Sequence, residues 1–551
     1  MNLKIFIKKD INHFSIQILI FLTTIVFCYS CGGNKNSESY ESDKVAISGK
    51  ITYDRVPNTI SGRLDYSTIN ELPARRITVE IIRLRDSAVL ASTQTDESGN
   101  YSAKIAVNDE NNSIFVRAKP VLKPTETTMC DVSVVDNTQA GALYVMDCTP
   151  FFITYNSITK NLHAGSGWNG TDYSSTRTAA PFAIIDTIYS IIKKINDNVS
   201  GVSYPKLVIN WSINNIASEG NKELGQITTS HYNINSIYLL GKVNSDTDEY
   251  DQHVIIHEWG HYFENEFSRF DSIGGNHSAQ SFLDIRVAFS EGWANALSAM
   301  ITDNPVYSDS YGSGQAKGFT FDLESNDPKV KGWYSEGSVQ SILYDLYDTH
   351  DDGFDSVSLG IQPFYEIFTK DLKNSVARTS LFAFISALKN IYSEHSLGID
   401  QILEQQNING NGIDPFGSSE TNDAGAGTDV LPVYTPIVVG DLPKTVCVIN
   451  KFALKDEINR LSQARFAYFE AQTTAEYQIQ AVGSPGSNPD FKLYNNKDQC
   501  MLFDQETSNQ ELSRVYLSAG TYVLEIYDWK LLDPDTAFDS NHRTCIDVSV
   551  F

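Results

Sequence analysis

The chain has 551 residues, of which 41% are hydrophobic and 11% aromatic, and its formal net charge is −26 at pH 7. This composition is typical of a globular protein, and the length predicts more than one domain. The strongly acidic balance argues against nucleic acid and anionic membrane surfaces as partners.

Residues 1–30 have the pattern of a signal peptide. Lys4, Lys8 and Lys9 precede an apolar run over 16–27, which is too short to span a bilayer. Ser30-Cys31-Gly32 then resembles a bacterial lipobox, which implies lipid attachment at Cys31, with 31–44 as a polar tether. We therefore expect a protein of the bacterial cell envelope, lipid-anchored at the outer membrane or cell surface, or secreted. Only the lipid would contact the membrane.

Residues 45–149 alternate apolar and polar positions between turn residues, which predicts an antiparallel β-sandwich. The segments VAISGKITYD and DESGNYSAKI resemble the carboxypeptidase regulatory-like module, which implies an accessory role. Cys130 and Cys148 could pair in an oxidising compartment.

Residues 150–430 form the predicted central domain, with a helix at 178–195 and strands at 206–212 and 236–241. Within it His257-Glu258-Trp259-Gly260-His261 has the H-E-x-x-H pattern. Residues four apart lie on one helical face, so His257 and His261 can bind one zinc ion. Glu258 lies beside that face, where it can take a proton from the water that the metal activates.

A second motif follows at 290–295, reading SEGWAN. Glu291 lies 30 residues (291 − 261) after His261 and could return on a second helix as the third ligand. Asn295, one turn later, could accept the N–H of a ligand histidine. The two motifs resemble the gluzincin metallopeptidases, and SEGWAN resembles the fungalysin-type branch. In gluzincins an Asp stands where this chain has Asn295. The resemblance implies a zincin domain with one catalytic Zn²⁺.

Several alternatives remain open around this site. His253 shares the stripe of His257, but a further helical turn (~6 Å) separates it from the metal, so we interpret it as a wall residue. Asp284 and His277 are rival third ligands. The candidates for stabilising the oxyanion are Tyr334, His350 and His395.

By the same resemblance, a sheet-edge strand should lie beside the active-site helix and pair with extended substrate. We assign this role to Ile237, Tyr238, Leu239 and Leu240, with a plain sheet strand as the alternative.

After Glu291 the sequence predicts helices at 335–347 and 379–392, and a loop at 409–429 that ends the domain. Between the helices lies an acidic loop that could bind Ca²⁺ or be a solvated turn; its carboxylates are Asp348, Asp351, Asp352 and Asp355.

Residues 431–551 return to alternation and resemble the pre-peptidase C-terminal β-sandwich of secreted peptidases. Cys447, Cys500 and Cys545 allow one bridge and leave one thiol, and the sequence does not say which.

The predicted architecture is therefore multidomain, with a central α+β zincin metallopeptidase domain between two antiparallel β-sandwiches. The predicted function is that of a secreted or surface-anchored zinc metalloendopeptidase acting on peptides or proteins, with Glu258 as general base. The alternative is a catalytically latent zincin that serves as a surface binding or adhesion lipoprotein. The sequence does not determine cleavage specificity or oligomeric state.

Overall fold

The computed structural model describes residues 44–106, 113–125, 129–325, 327–350, 353, 355–495, 500–503, 508–533 and 535–551. The predicted signal peptide, Cys31 and the tether up to residue 43 lie outside the described residues, as do Asp351 and Asp352 of the acidic loop. None of the helices that the structure describes has both the length and the apolar character needed to cross a membrane.

The N-terminal region contains two sheets, as the alternation predicts, but only the second is wholly antiparallel, because β1 of the first pairs in parallel with two of its four neighbours. In the first, β1 (Lys44–Arg55) pairs with four other strands: β2 (Asn70–Pro73), β5 (Asn100–Ala106), β12 (Ser157–Thr159) and β13 (Leu162–Ala164). The second has the order β10-β6-β3-β4, with β11 beside β6: β3 (Thr78–Arg83), β4 (Val89–Gln94), β6 (Ser113–Lys119), β10 (Met146–Asp147) and β11 (Phe151–Phe152).

A six-stranded sheet, of order β15-β16-β14-β8-β7 with β9 beside β8, supports the site. Its strands are β7 (Val121–Leu122), β8 (Val132–Asp136), β9 (Ala142–Leu143), β14 (Leu207–Trp211), β15 (His231–Asn233) and β16 (Ser236–Leu239). The predicted boundary at 149/150 does not follow this pairing, because β7–β9 join the central sheet whereas β12 and β13 join β1. Alternation marks a strand but does not specify its partner, so the sequence could not show this exchange.

The predicted helices are confirmed within a few residues at each end. Ser335 and Ser380 cap two of them by accepting hydrogen bonds from Ser338 N and Ala383 N. The helices of the central region are α1 (Ala179–Asn198), α2 (Gln252–Phe267), α3 (Ile285–Thr302), α4 (Glu336–Asp345), α5 (Gln362–Glu366), α6 (Leu381–Ile391) and α7 (Ser396–Gln405).

A small four-stranded sheet lies near α2 and forms part of a cavity wall. Its strands, in order, are β17 (Gly241–Lys242), β18 (Asp246–Thr247), β19 (Val306–Tyr311) and β20 (Lys317–Asp322). One hydrophobic core runs from the N-terminal sheets through the helices.

The C-terminal region consists of two sheets around a core of its own, as predicted. Their orders are β21-β23-β28-β25-β26 and β22-β29-β24-β27: β21 (Tyr434–Ile437), β22 (Lys444–Ile449), β23 (Ala464–Ala471), β24 (Ala475–Val482), β25 (Pro489–Tyr494), β26 (Cys500–Phe503), β27 (Gln510–Leu517), β28 (Gly520–Asp528) and β29 (Arg543–Val550). The short α8 (Trp529–Leu532) follows β28.

The structure shows which cysteines form a disulfide, which the sequence left open. Cys447 and Cys545 form a disulfide between β22 and β29, 98 residues apart in sequence. Cys130 and Cys148 are both free thiols, so the pairing that their spacing permitted does not occur.

Candidate metal centre and cleft

Helices α2 and α3 bring three side chains to one point. His257 Nε2 lies 3.1 Å from His261 Nε2, and these atoms lie 3.2 and 3.4 Å from Glu291 Oε2. All three residues are buried. The four-residue spacing on α2 aligns the imidazoles, and Glu291 reaches them from α3, as the two motifs predict.

The three residues fit a metal ion of the kind that the sequence implies. Glu291 Oε2 is buried and accepts no hydrogen bond from the described residues, although three imidazole nitrogens surround it. Burial alone would raise the pKa of Glu291, but His261 and His277 beside it hold that pKa well below its usual value. Two imidazoles and one ionised carboxylate are the ligand set of many catalytic zinc sites.

Asn295 holds the first imidazole in a defined tautomer. Its Oδ1 lies 2.8 Å from His257 Nδ1, and its own Nδ2 donates to Gln340 Oε1 at 2.9 Å. An amide oxygen can only accept, so Nδ1 of His257 carries the proton and Nε2 keeps its lone pair for a metal. Asn295 is therefore in hydrogen-bonding contact with His257, and its role beside a metal ion stays a prediction.

The second imidazole has partners that the sequence analysis missed. His261 Nδ1 lies 3.2 Å from Ser290 Oγ and 3.5 Å from Glu264 Oε2, and Ser290 Oγ donates to that same Glu264 oxygen at 2.5 Å. Burial raises the pKa of Glu264. The sequence could have indicated both partners, since Glu264 follows His261 by three residues on the same helix and Ser290 adjoins Glu291.

Glu258 is not one of the three clustered side chains, but it follows His257 directly on α2. Its Oε2 accepts a hydrogen bond of 2.6 Å from the backbone N–H of Tyr232 in β15. Edge strand and carboxylate are therefore in direct contact.

The contact with β15 corrects the predicted substrate strand. The residues Ile237, Tyr238 and Leu239 belong to β16, which pairs with β14 on one side and β15 on the other. Leu240 follows β16 and donates its N–H to Ser230 Oγ. The edge of this sheet is β15, three residues long. Three residues are too few to show a strand pattern in the sequence. The substrate role was therefore assigned to the longer, apolar β16.

His277, one of the rival ligands, lies next to the three residues. Its Nε2 is 3.3 Å from Glu291 Oε2, and its Nδ1 is 2.8 Å from Glu336 Oε2 in α4. Burial would lower the pKa of His277, but Glu291 and Glu336 raise it to about 9. His277 lies on an irregular loop, so the sequence pattern could not predict its position relative to Glu291.

The other candidates lie elsewhere. Asp284 caps α3 and pairs with Arg286. His253 is buried between Thr302 and Ser308, which lie 3.2 and 3.3 Å from its ring nitrogens.

The three residues predicted as candidates for stabilising the oxyanion line neither of the two cavities that Glu258 lines. Tyr334 Oη donates to the carbonyls of Asp423 and Ala424, His350 pairs with Glu324, and His395 precedes α7.

Two cavities meet at the site. The larger, about 610 Å³, runs along β18–β20, and the smaller, about 490 Å³, runs along β15. Both are lined by His257, Glu258 and His277. A ligand that occupied both cavities would therefore pass His257 and Glu258.

The family described as "Mycolysin C-terminal domain" matches residues 218–392, which include α2, α3 and α4. The match covers about a third of the chain and relates this region to peptidases. No curated protein matches the chain.

Two solved structures are each similar to about a fifth of the chain. The pre-peptidase C-terminal domain of collagenase from Bacillus anthracis is 14% identical, covering 21% of this chain and 94% of that chain with a TM-score of 0.16. PliG, a periplasmic lysozyme inhibitor of g-type lysozyme from Salmonella Typhimurium, is 9% identical, covering 21% and 99% with a TM-score of 0.14. Scores this low carry no conclusion.

Proposed function

We propose that this protein is a zinc-dependent endopeptidase, with Zn²⁺ held by His257, His261 and Glu291. The observation that carries the proposal is the convergence of two imidazole Nε2 atoms on one oxygen of a buried carboxylate. Zinc in such a site polarises a carbonyl group and lowers the pKa of water.

Glu258 is the proposed general base. It lines both cavities, and the N–H of Tyr232 orients its carboxylate from the edge strand. Glu258 would accept a proton from the attacking water and deliver it to the amine that leaves when the peptide bond breaks. Asn295 and Glu264 would keep the two imidazoles in the tautomer that this chemistry needs.

The proposed substrate is an extended peptide or protein segment that lies along β15. Strand addition to a sheet edge gives affinity through backbone hydrogen bonds, independent of sequence. The proposed location is outside the cytoplasm, in the envelope or secreted, with Cys31 as the site of lipid attachment.

The test is cleavage of a mixed peptide library by the purified protein, with and without a chelator. We expect cleavage that the chelator abolishes and zinc restores. Glu258→Gln should bind zinc like the parent and cleave at least ~100-fold more slowly, because it cannot accept the proton.

Glu394→Gln is the matched control, since Glu394 is exposed just before α7 and lines neither cavity. Its activity should be that of the parent. Cleavage by Glu258→Gln at the parental rate would refute the mechanism. Zinc-loaded protein that cleaves no peptide would favour the alternative, a latent zincin that serves as a surface binding or adhesion lipoprotein.

A further inference from the structure

A chain of two amide side chains leads from the candidate metal centre into the wall of the larger cavity. His257 Nδ1 lies 2.8 Å from Asn295 Oδ1, and Asn295 Nδ2 donates to Gln340 Oε1 at 2.9 Å. Asn295 lies on α3 and Gln340 on α4, and both are buried. All three residues line the larger cavity together with Glu258. The chain therefore begins at a proposed zinc ligand and ends in the cleft.

The direction of this chain is fixed by its first member. When the Nε2 atom of His257 binds a metal ion, the proton of the neutral ring is on Nδ1. This N–H group needs an acceptor, so the oxygen of Asn295 faces His257 and its NH₂ group faces Gln340. The NH₂ group in turn needs the oxygen of Gln340. The NH₂ group of Gln340 is therefore the free end of the chain, and it is a donor.

This last donor has no partner within the described part of the protein. The side chain of Gln340 is only 5% exposed, and its Nε2 atom donates to none of the described residues, yet it is not sealed from solvent. Since Gln340 lines the larger cavity, its NH₂ group opens into that cavity. A nearly buried amide favours a hydrogen-bond partner, and the missing partner is an acceptor.

The charge of the cavity selects the kind of acceptor. Five aspartates and two glutamates line it, against Lys329 and His277 as the basic residues. Three of the aspartates each place one carboxylate oxygen within 4.8 Å of the others: Asp246, Asp248 and Asp309. Such a wall repels an anionic acceptor, for example the carboxylate at the end of a peptide, but does not repel a neutral carbonyl group.

We propose that the side-chain NH₂ group of Gln340 donates a hydrogen bond to a backbone carbonyl of a peptide in the larger cavity. The carbonyl belongs to an internal peptide unit, so the ligand is an extended segment of a longer chain. This inference rests on the proposed function, since it assigns a binding residue to the same cleft. Gln340 holds the substrate and takes no part in proton transfer.

The first test measures peptide binding without turnover, in zinc-loaded Glu258→Gln protein. A mixed library of acetylated and amidated peptides is passed over the immobilised protein, and the sequence that is retained best becomes the probe. Addition of Gln340→Met should weaken binding of the probe by about 3- to 10-fold, because methionine is similarly long and flexible but has no N–H donor. The zinc content of each sample is measured, so that loss of metal is not mistaken for loss of the contact.

Gln401→Met is the matched control, because Gln401 is an exposed glutamine of α7 and lines neither cavity. It should bind the probe as tightly as Glu258→Gln alone. Equal affinity in the Gln340→Met and Gln401→Met proteins would overturn the proposal.

Thioamide scanning distinguishes a direct contact from an indirect effect of the substitution. In each scanned peptide a sulfur atom, which is a weaker acceptor, replaces one carbonyl oxygen of the probe. At one position the sulfur should weaken binding by roughly threefold or more when Gln340 is present, and hardly at all in Gln340→Met. The other positions should affect both proteins equally. Identical profiles in both proteins would overturn the proposal, even where methionine lowers the affinity.

A shortened probe tests the choice of acceptor. When the carbonyl found by the scan becomes the C-terminal group, the amide should bind more tightly than the free acid, which places a carboxylate against the acidic wall. Tighter binding of the acid, or retention of no peptide at all, would overturn the proposal. Cleavage by the parent with unchanged affinity in Gln340→Met would reject this contact and keep the peptidase. Peptide binding through Gln340 without cleavage by the parent would do the reverse.

Discussion

The two proposed zinc-ligating histidines on α2 have different hydrogen-bond partners at Nδ1. His257 relies on the neutral amide of Asn295, whereas His261 relies on the acidic Glu264 and the hydroxyl of Ser290. Acceptors of this kind fix the tautomer of a ligand histidine and raise its basicity, and a carboxylate does so more strongly than an amide. Among the described residues, His257 Nδ1 has one short contact of 2.8 Å, whereas His261 Nδ1 has two longer contacts of 3.2 and 3.5 Å.

The role of Asn295 can be tested by two substitutions. Asn295→Ala should lower zinc affinity by roughly 10- to 100-fold, because the Nδ1 proton of His257 loses its acceptor. Asn295→Asp should bind zinc at least as tightly as the parent, because it restores an acceptor and adds charge. Competition with a chromophoric chelator measures both affinities. Parental affinity in Asn295→Ala would show that the contact does not support the metal.

At the scale of elements, two glycines let α2, α3 and α4 approach closely enough to form the site. A Cβ on Gly260 would lie 3.0 Å from Ala294 Cα, and one on Gly292 would lie 2.5 Å from Val339 Cβ. Gly292 adjoins Glu291, so the packing of α3 on α4 sets where that carboxylate points. The side chains of α4 contribute as well, since Glu336 holds His277.

Gly292→Ala should destabilise the protein more than Gly260→Ala. We expect about 1–3 kcal/mol for Gly292→Ala, because the added methyl group overlaps the branched Cβ of Val339 and backbone must shift. At Gly260 the nearest atoms are farther away, so the cost should be smaller. Urea unfolding measures both free energies. The reverse order would mean that the α2–α3 contact is the tighter one.

At the scale of the molecule, the C-terminal sandwich reaches into the site region. Arg286, near the start of α3, is buried and pairs with Asp284 and with Glu525 of β28. Asn459 and Arg460 donate to the carbonyl of Asn276, next to His277. The C-terminal region therefore positions both α3 and the loop that carries His277.

The Arg286–Glu525 pair predicts an acid-sensitive stability. Burial would raise the pKa of Glu525, but Arg286 and Lys492 lower it to about 2 from 4.5. A depressed carboxyl pKa stabilises the fold above the unfolded pKa, and this contribution is lost as pH falls from about 4.5 towards 2. The loss is of order 3 kcal/mol. Urea unfolding across this range should show it.

Glu525→Gln should weaken that pH dependence and destabilise the protein at pH 7 by ~3 kcal/mol, because Arg286 loses a buried partner. Glu476→Gln is the control, since its pair with Arg514 is exposed and spans 3.9 Å. The control should change stability by less than ~1 kcal/mol. Equal effects of both substitutions would argue against a special role for the buried pair.

The sequence by itself determined the features that depend on local periodicity. The helical repeat places His257 above His261 and Asn295 one turn after Glu291, and the helices and C-terminal strands follow from their apolar patterns. Only the tertiary structure decided which strands pair, and hence that β15 is the edge and that β7–β9 belong to the central sheet. It also decided that His277 meets Glu291 and that Asp246 and Asp309 meet across two strands. Such contacts join residues far apart in the chain, and no local pattern encodes them.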